Sequence, residues 1–423
     1  MKGGPSMKLF IGLDVSSQKL DTCFLTDSKE ILFEGSLSND LIGASEIKQK
    51  ILEYQETFGF YQIVIGMEST SVYSFHPSMF FYLDEDLKQL PVEVTVENPY
   101  RIKQYSRMFD QDKTDKIDAQ IIADYLRVDL HTLSPIKEEI YVGLQRLTRS
   151  RYQLVTQMVE AKQHFLENLT YKCNTLSKEL ANEDNKTSVF GTTIMNLLTE
   201  DITLDEFSEM PLEEAAELLQ KLGKGRFKNP EQLVKSVKKA VRSSYRLGKV
   251  TKNSIDLVLG IIANEIKFLK KQIKEIEKAI IALLETIPEA QCLLSVPGLG
   301  PVYTAGLIAE IGQIERFDDQ SKLAKYAGLT WTKNQSGNSQ SENTPLNRSG
   351  NRYFRYYLIE ATNRVRITLP EFKEYYQKKK NEVPKHKHKR ALVLTGRKFV
   401  LDRCATTQRS TLSAKEGGDR KIT

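Results

Sequence analysis

Residues 8–14, read as KLFIGLD, form an apolar run that ends on a carboxylate. Phe10, Ile11 and Leu13 stand among β-formers, and the polar Ser16-Ser17-Gln18 leaves the run too short for a helix, so a buried strand is predicted. An aspartate ending such a strand is costly unless a positive partner offsets it, and the usual partner is a metal ion. Gln62–Glu68 (QIVIGME) repeats the pattern, with Ile63, Val64 and Ile65 as the buried run and Glu68 at its end. In DKTDKID, residues 112–118, Asp115 and Asp118 lie three apart and share one face if the segment is helical. Two strand-end carboxylates and a helical pair make the ligand set of a two-Mg²⁺ phosphodiester site. Hard oxygen donors suit Mg²⁺, and two ions about 4 Å apart would stabilise both the attacking and the leaving oxygens.

Around these residues the first third of the chain reads as strands and helices in the order βββαβαβ. Strands are predicted over Lys8–Val15, Leu20–Leu25, Ile31–Gly35, Gln62–Glu68 and Val92–Val96, and helices over Ala44–Phe58 and Val72–Leu83. A helix carrying Asp115 and Asp118 follows. This is a ribonuclease H-like α/β arrangement, in which the carboxylates converge at the centre of the sheet.

Beyond it the chain reads as mainly helical. Ile140, Leu144, Leu147, Leu154, Met158, Ala161 and Phe165 follow a four-three spacing that only Arg151 interrupts. Ile255, Leu259, Ile262, Ile266, Leu269, Ile273, Ile276, Ile280, Leu283 and Ile287 keep that spacing without a miss. This is the pattern of a coiled-coil seam, pairing with the first helix or with a second copy of the chain. Residues 182–249 read as shorter helices and loops with a basic patch at 221–228 (KLGKGRFK). After Pro288, LLSVPGLGPVYTAGLIAEIG (293–312) nearly matches a helix-hairpin-helix. In that motif backbone N–H groups at a helix start face a phosphate, and here Gly298 and Gly300 form the turn. Between Trp331 and Asn351 the chain is polar, rich in Ser, Asn and Gly, and lacks a helical stripe. A long loop framed by apolar helices points to function.

Composition is consistent with a polyanion partner. The 423 residues carry a net charge of +6, but residues from Glu371 onward hold about +9 of it, leaving about −3 for the rest. Cys23, Cys173, Cys292 and Cys404 make neither a disulfide ladder nor a zinc ribbon, which points to a reducing cytoplasm. No apolar run reaches the roughly 20 residues of a membrane span. Residues 1–6 (MKGGPS) read as a leader, with Met7 a candidate start, and residues 401–423 read as an unstructured tail.

Six motifs carry a resemblance: GLDVS (12–16), GMES (66–69), KTDKIDA (113–119), VPGLGPVYTAGLIAEIG (296–312), YAGLTWTKNQSG (326–337) and GNRYFRYYLIEA (350–361). In this order the chain resembles the DEDD transposases of bacterial insertion sequences, whose members include site-specific DNA invertases. The resemblance implies a RuvC-like N-terminal domain over 7–135 and coiled-coil helices over 136–180 and 250–288; the stretch between those helices, 181–249, reads as a helical insertion or linker. The resemblance further implies a C-terminal transposase domain over 289–400. Asp14, Glu68, Asp115 and Asp118 would be the DEDD tetrad that holds Mg²⁺, and Ser336 the nucleophile. The implied chemistry is serine recombination of donor and target DNA, guided by a non-coding bridge RNA and carried out by homodimers or homotetramers in the bacterial cytoplasm.

Several readings stay open beside it. The loop offers four serines, Ser336, Ser339, Ser341 and Ser349. Arg348, Arg352 and Arg355 suit a phosphate-facing edge, as do Arg146, Arg149 and Arg151, though each set also fits an ordinary solvent face. A structure-specific, Holliday-junction-type nuclease using metal-activated water would need only the carboxylates. An invertase would share the whole apparatus, and a non-catalytic nucleic-acid-binding scaffold would need none of it.

Overall fold

The computed structural model describes residues 7–69, 72–108, 115–130, 138–182, 187–199, 202–225, 229–314, 317, 320–331, 335–336, 339–340, 346–347 and 350–400. The chain divides into two compact units, residues 1–138 and 139–423.

In the first unit β1 (Lys8–Val15), β2 (Lys19–Thr26) and β3 (Ile31–Ser38) form an antiparallel meander. Helix α1 (Leu41–Phe58) then leads to β4 (Gln62–Glu68), which pairs parallel with β1. Helices α2 (Phe75–Leu83) and α3 (Glu85–Lys88) precede β5 (Val92–Glu97), which is parallel to β4. The sheet order is β3-β2-β1-β4-β5. Helices α4 (Pro99–Ser106) and α5 (Asp115–Arg127) complete the unit.

The sequence explains this placement. β1 and β4 are apolar at nearly every position because both faces of the central strands are covered, whereas the edge strand β3 alternates. Leu9, Ile11, Leu13 and Val15 pack with Ala44, Ile47 and Ile51 of α1. The other face presents Phe10 and Val64 to Ile121, Ile122, Tyr125 and Leu126 of α5. Gly12 is required there, because a Cβ would overlap the backbone of Ala119 and Ala123. Asp40 caps α1, accepting from the Gly43 N–H at 2.9 Å, and Gly59, at φ +63°, closes the helix.

The second unit opens with α6 (Glu139–Lys172). Short helices follow: α7 (Leu176–Leu180), α8 (Thr192–Leu197), α9 (Leu204–Glu209), α10 (Leu212–Leu222) and α11 (Pro230–Ser243). The long α12 (Lys249–Leu284) then runs antiparallel to α6, with Lys172 paired to Asp256 at one end and Arg151 to Glu277 towards the other. After it come α13 (Ala290–Leu294), α14 (Pro301–Ile311) and α15 (Gln320–Tyr326). The two-residue strands β6 (Thr330–Trp331), β7 (Gln335–Ser336), β8 (Ser339–Gln340) and β9 (Leu346–Asn347) lead into α16 (Arg352–Thr368), α17 (Pro370–Asn381) and α18 (Lys387–Phe399).

The α6/α12 pair belongs to two cores. One end packs with α7–α11 through Phe165, Leu169, Leu259 and Ile266, among others. The opposite end packs with residues 290–400 through Tyr141, Leu144, Ile280 and Leu284. The helical insertion and the C-terminal region expected from sequence therefore each share a core with the helix pair. On α12 Ile255, Leu259, Ile266, Leu269, Ile273 and Ile280 are buried at the expected spacing, while Ala263 and Leu284 are buried beside the partly buried Ile262 and Leu283. Arg151, which breaks the seam on α6, is bonded to Glu277 at 2.7 Å.

Two expectations change. The helix expected from Val72 begins at Phe75. The polar stretch after Trp331, expected to lack regular structure, carries two short ladders, β6 with β9 and β7 with β8. The tail at 401–423 lies outside the described residues.

Candidate active site

In the first unit, strand alternation decides which side chains meet. Gly12 faces α5, so Asp14, two residues on, shares that face; Gly66, whose Cβ would overlap Leu126 of α5, sets the same face for Glu68. Asp14 and Glu68 are both half-buried at the carboxyl ends of adjacent parallel strands. The direction of α5 follows from two contacts. Ala119 lies against Gly12, while Asp124 pairs at 3.6 Å with Lys29, in the β2–β3 turn at the far end of the sheet. The first turn of α5, with Asp118 half-buried and the backbone of Asp115, therefore lies towards the Asp14 end. Its positive helix terminus favours the carboxylates gathered there.

Two further carboxylates join them. Asp21 stands opposite Asp14 across the β1–β2 ladder and is 6% exposed; Glu97 stands beside Glu68 on β5 and is 2% exposed. Thr95 donates its hydroxyl to Glu97 Oε1 at 2.9 Å. Sequence reading missed both residues. For Glu97 the signal was available, since VEVTVE ends on a carboxylate just as QIVIGME does. Like charges facing each other across strands are destabilising on their own, so the donor chemistry suits a divalent cation. Among the described residues, however, no three such ligands close on one point.

In the second unit α13 and α14 flank the turn that contains Gly298 and Gly300. Gly298 adopts φ +93°, and Gly300 is the cap residue of α14, with Pro301 in the first turn. A Cβ on Gly298 would meet Thr368, whose hydroxyl donates to the Pro297 carbonyl at 2.6 Å. Gly300 is open, with nothing near the position of a Cβ.

Ser336 lies in β7 with its backbone paired to Ser339. Ser341, Ser349 and Arg348 lie outside the described residues. The arginines divide. Arg149 makes two hydrogen bonds to the fully buried Glu310, at 2.7 and 2.8 Å. Arg151 is held by Glu277. Burial disfavours the charge on both, but their bonds to carboxylates outweigh it and raise both pKa values. Internal partners thus account for two arginines that sequence reading offered as phosphate contacts. Arg355 donates to the Ala327 carbonyl at 3.1 Å, while Arg146 and Arg352 are exposed.

Comparison with known proteins bears on both units. A family model for IS110-type DEDD transposases, described as "Transposase", matches residues 11–173. A second, "Transposase IS116/IS110/IS902 family", matches residues 290–377. The chain belongs to the IS110 family of DEDD transposases. Relatives in this family include the uncharacterized 44.8 kDa protein of insertion element IS116 from Streptomyces clavuligerus, 25% identical over 64% of this chain and 65% of the relative. The uncharacterized 43.6 kDa protein of IS110 from Streptomyces coelicolor is 30% identical over 30% of this chain and 31% of its own length. The uncharacterized 42 kDa protein of IS900 from Mycobacterium paratuberculosis is 27% identical over 65% of this chain and 66% of the relative. The chain thus spans less than two-thirds of the IS116 and IS110 relatives. The first family match includes all four DEDD candidates and the second includes Ser336.

Proposed function

We propose that this family member is an RNA-guided DNA transposase acting through a phosphoserine intermediate and a Mg²⁺-binding DEDD set. The observation that carries the reading is that α5 directs its acidic first turn towards the end of the sheet face where Asp14 and Glu68 lie. A sheet of order β3-β2-β1-β4-β5 with its carboxylates at the strand ends supports a ribonuclease H-like, RuvC-like assignment. Asp14, Glu68, Asp115 and Asp118 would hold the ion, with Asp21 and Glu97 beside them. Mg²⁺ bound there supplies charge neutralisation to a phosphodiester.

The serine does the bond making. Ser336 Oγ attacks phosphorus and gives up its proton, the P–O3′ bond breaks, and the leaving oxygen takes a proton to become a free 3′ hydroxyl. The phosphate stays esterified to the serine, which conserves a bond for rejoining. Guidance by a bridge RNA rests on family membership alone. Self-association has a structural support. Val250, Leu257, Ile261 and Phe268 form an exposed apolar stripe on α12, which a second copy of the chain would cover.

One observation favours a nuclease using water instead: the carboxylates lie in a unit with its own cores, separate in sequence from the serine. An adduct assay separates the two. Protein, Mg²⁺, the element's RNA and labelled donor and target DNA are incubated, then denatured. A protein–DNA adduct in wild type that is absent from Ser336→Ala and Asp14→Ala supports serine recombination. Free cut ends from Ser336→Ala, without any adduct in wild type, would leave the nuclease.

A further inference from the structure

Glu310 is an unusual carboxylate. It lies in the apolar helix PVYTAGLIAEI, is fully buried, and sits far in sequence from the acidic cluster of the first unit. A charge buried so completely persists only with partners around it, and four bonds from three side chains surround this one. Arg149 of α6 donates through Nε and Nη2, at 2.7 and 2.8 Å. Gln145, also on α6, donates at 3.2 Å. Asn351, immediately before α16, donates through Nδ2 at 2.7 Å.

Asn351 is the pivot, because it closes the segment that carries Ser336. Its Nδ2 also reaches the Tyr326 hydroxyl at 2.8 Å, and its backbone N–H donates to the Tyr326 carbonyl at 2.7 Å. Its Oδ1 accepts from the Tyr353 and Phe354 N–H groups, capping α16. Residues 326 and 351 are the two ends of the segment. Gly350 seals them, since a Cβ there would overlap the backbone of Gly328 and Tyr326. Further carbonyls on the first side are held as well: Ala327 accepts from Arg355 at 3.1 Å and Leu329 from Arg397 at 3.2 Å. Beyond this base the backbone continues into the β6–β9 ladder. Arg149 is steadied in turn by the Tyr353 ring, 4.5 Å from its guanidinium carbon, which packs edge-on against Tyr152.

We propose that Glu310, acting through Arg149 and Asn351, is a positioning residue that clamps the base of the serine-bearing segment. This rests on the serine reading above. It assigns a task to a buried ion pair that is remote in sequence from every candidate catalytic group. Placing a nucleophile within attack distance is where small displacements are most expensive: a misplacement of about 1 Å costs on the order of 100-fold in rate.

Three variants test it. Glu310→Gln keeps the shape and removes the charge. Asn351→Ala removes the link. Asn351→Asp keeps the cap of α16 but turns a second carboxylate towards Glu310 and the Tyr326 hydroxyl. The charged and titratable groups around that pair are Arg149, Tyr326, Tyr353 and Tyr357. Leu259→Ala, in the other core of the unit, controls for lost stability.

In the adduct assay, well below each variant's melting temperature, Glu310→Gln and Asn351→Ala are expected to lose on the order of 100-fold in adduct rate. DNA affinity should stay within about twofold, and Leu259→Ala should keep the wild-type rate. For Asn351→Asp the rate relative to wild type should rise as pH falls, because one proton shared by the facing carboxylates restores a hydrogen bond. A wild-type rate in Glu310→Gln, or a flat pH ratio for Asn351→Asp, would overturn the clamp.

Hydrogen exchange reads the clamp without any chemistry. The Asn351, Gly328 and Leu329 amides, all bonded at the base, should exchange at least about tenfold faster in Glu310→Gln. Unchanged protection contradicts the clamp even if adducts form. Faster exchange in a protein that never forms an adduct would keep the clamp and sink the serine reading.

Discussion

Asp124 is a carboxylate whose behaviour is set by what folding brings to it. It accepts from the Tyr105 hydroxyl at 2.6 Å and from Arg127 Nε at 2.7 Å, and Lys29 approaches to 3.6 Å. Burial works against its charge, but these partners prevail and lower its pKa. Because the folded pKa lies below the unfolded one, the stabilisation is complete above the ordinary Asp value of about 3.9 and is lost as pH falls through the folded value. Asp124→Asn should therefore cost about 1–3 kcal/mol at pH 7. Urea titrations should show the difference from wild type narrowing steadily below about pH 4; a gap independent of pH would mean that the charge is irrelevant. At this scale Asp14 and Glu68 were legible because a carboxylate ending an apolar run stands out in one dimension. Asp21 was hidden in a strand whose pairing register sequence does not print. Arg149 and Arg151 were legible as charges but not as partners, since Glu310 and Glu277 lie more than a hundred residues away.

Among elements, close packing of α5 on the sheet is what brings its acidic turn to the strand ends. Gly12 permits it, and the obstacle to a side chain is backbone, which no rotamer change relieves. Gly12→Ala should destabilise the protein by about 1–3 kcal/mol through overpacking and weaken any Mg²⁺-dependent rise in melting temperature. Gly143→Ala is the counterpart: on α6 a Cβ meets only Leu283, at an ordinary 3.6 Å. There better helix propensity should stabilise by up to about 1 kcal/mol. Thermal melts of the two variants should move in opposite directions, and a similar loss in both would refute this contrast. The bounds of β1 and β4 were read from sequence as the structure has them, because a short apolar run between polar residues has little freedom. The apolar spacing along α12 was equally legible, whereas the burial of Ala263 and Leu284 beside it was not, since a four-three count passes over both. The β6–β9 and β7–β8 ladders were invisible, being two residues long and without apolar alternation.

For the molecule as a whole, sequence located the helical second unit but not its economy. The α6/α12 pair serves two cores at once, so residues 181–249 and 289–400 are not free-standing appendages. Family membership names a class of transposases, and the proposed chemistry assigns DNA joining to one serine among four. Digestion of a trapped protein–DNA adduct with trypsin and nuclease tests that assignment most directly. Cleavage after Lys333 and Arg348 releases NQSGNSQSENTPLNR, residues 334–348, which separates Ser336 from Ser349 and leaves fragmentation to distinguish it from Ser339 and Ser341. A nucleotide mass on Ser336, dependent on Asp14, is the expected result. A nucleotide on any other residue, or no modified peptide from a reaction that has joined DNA, would contradict it.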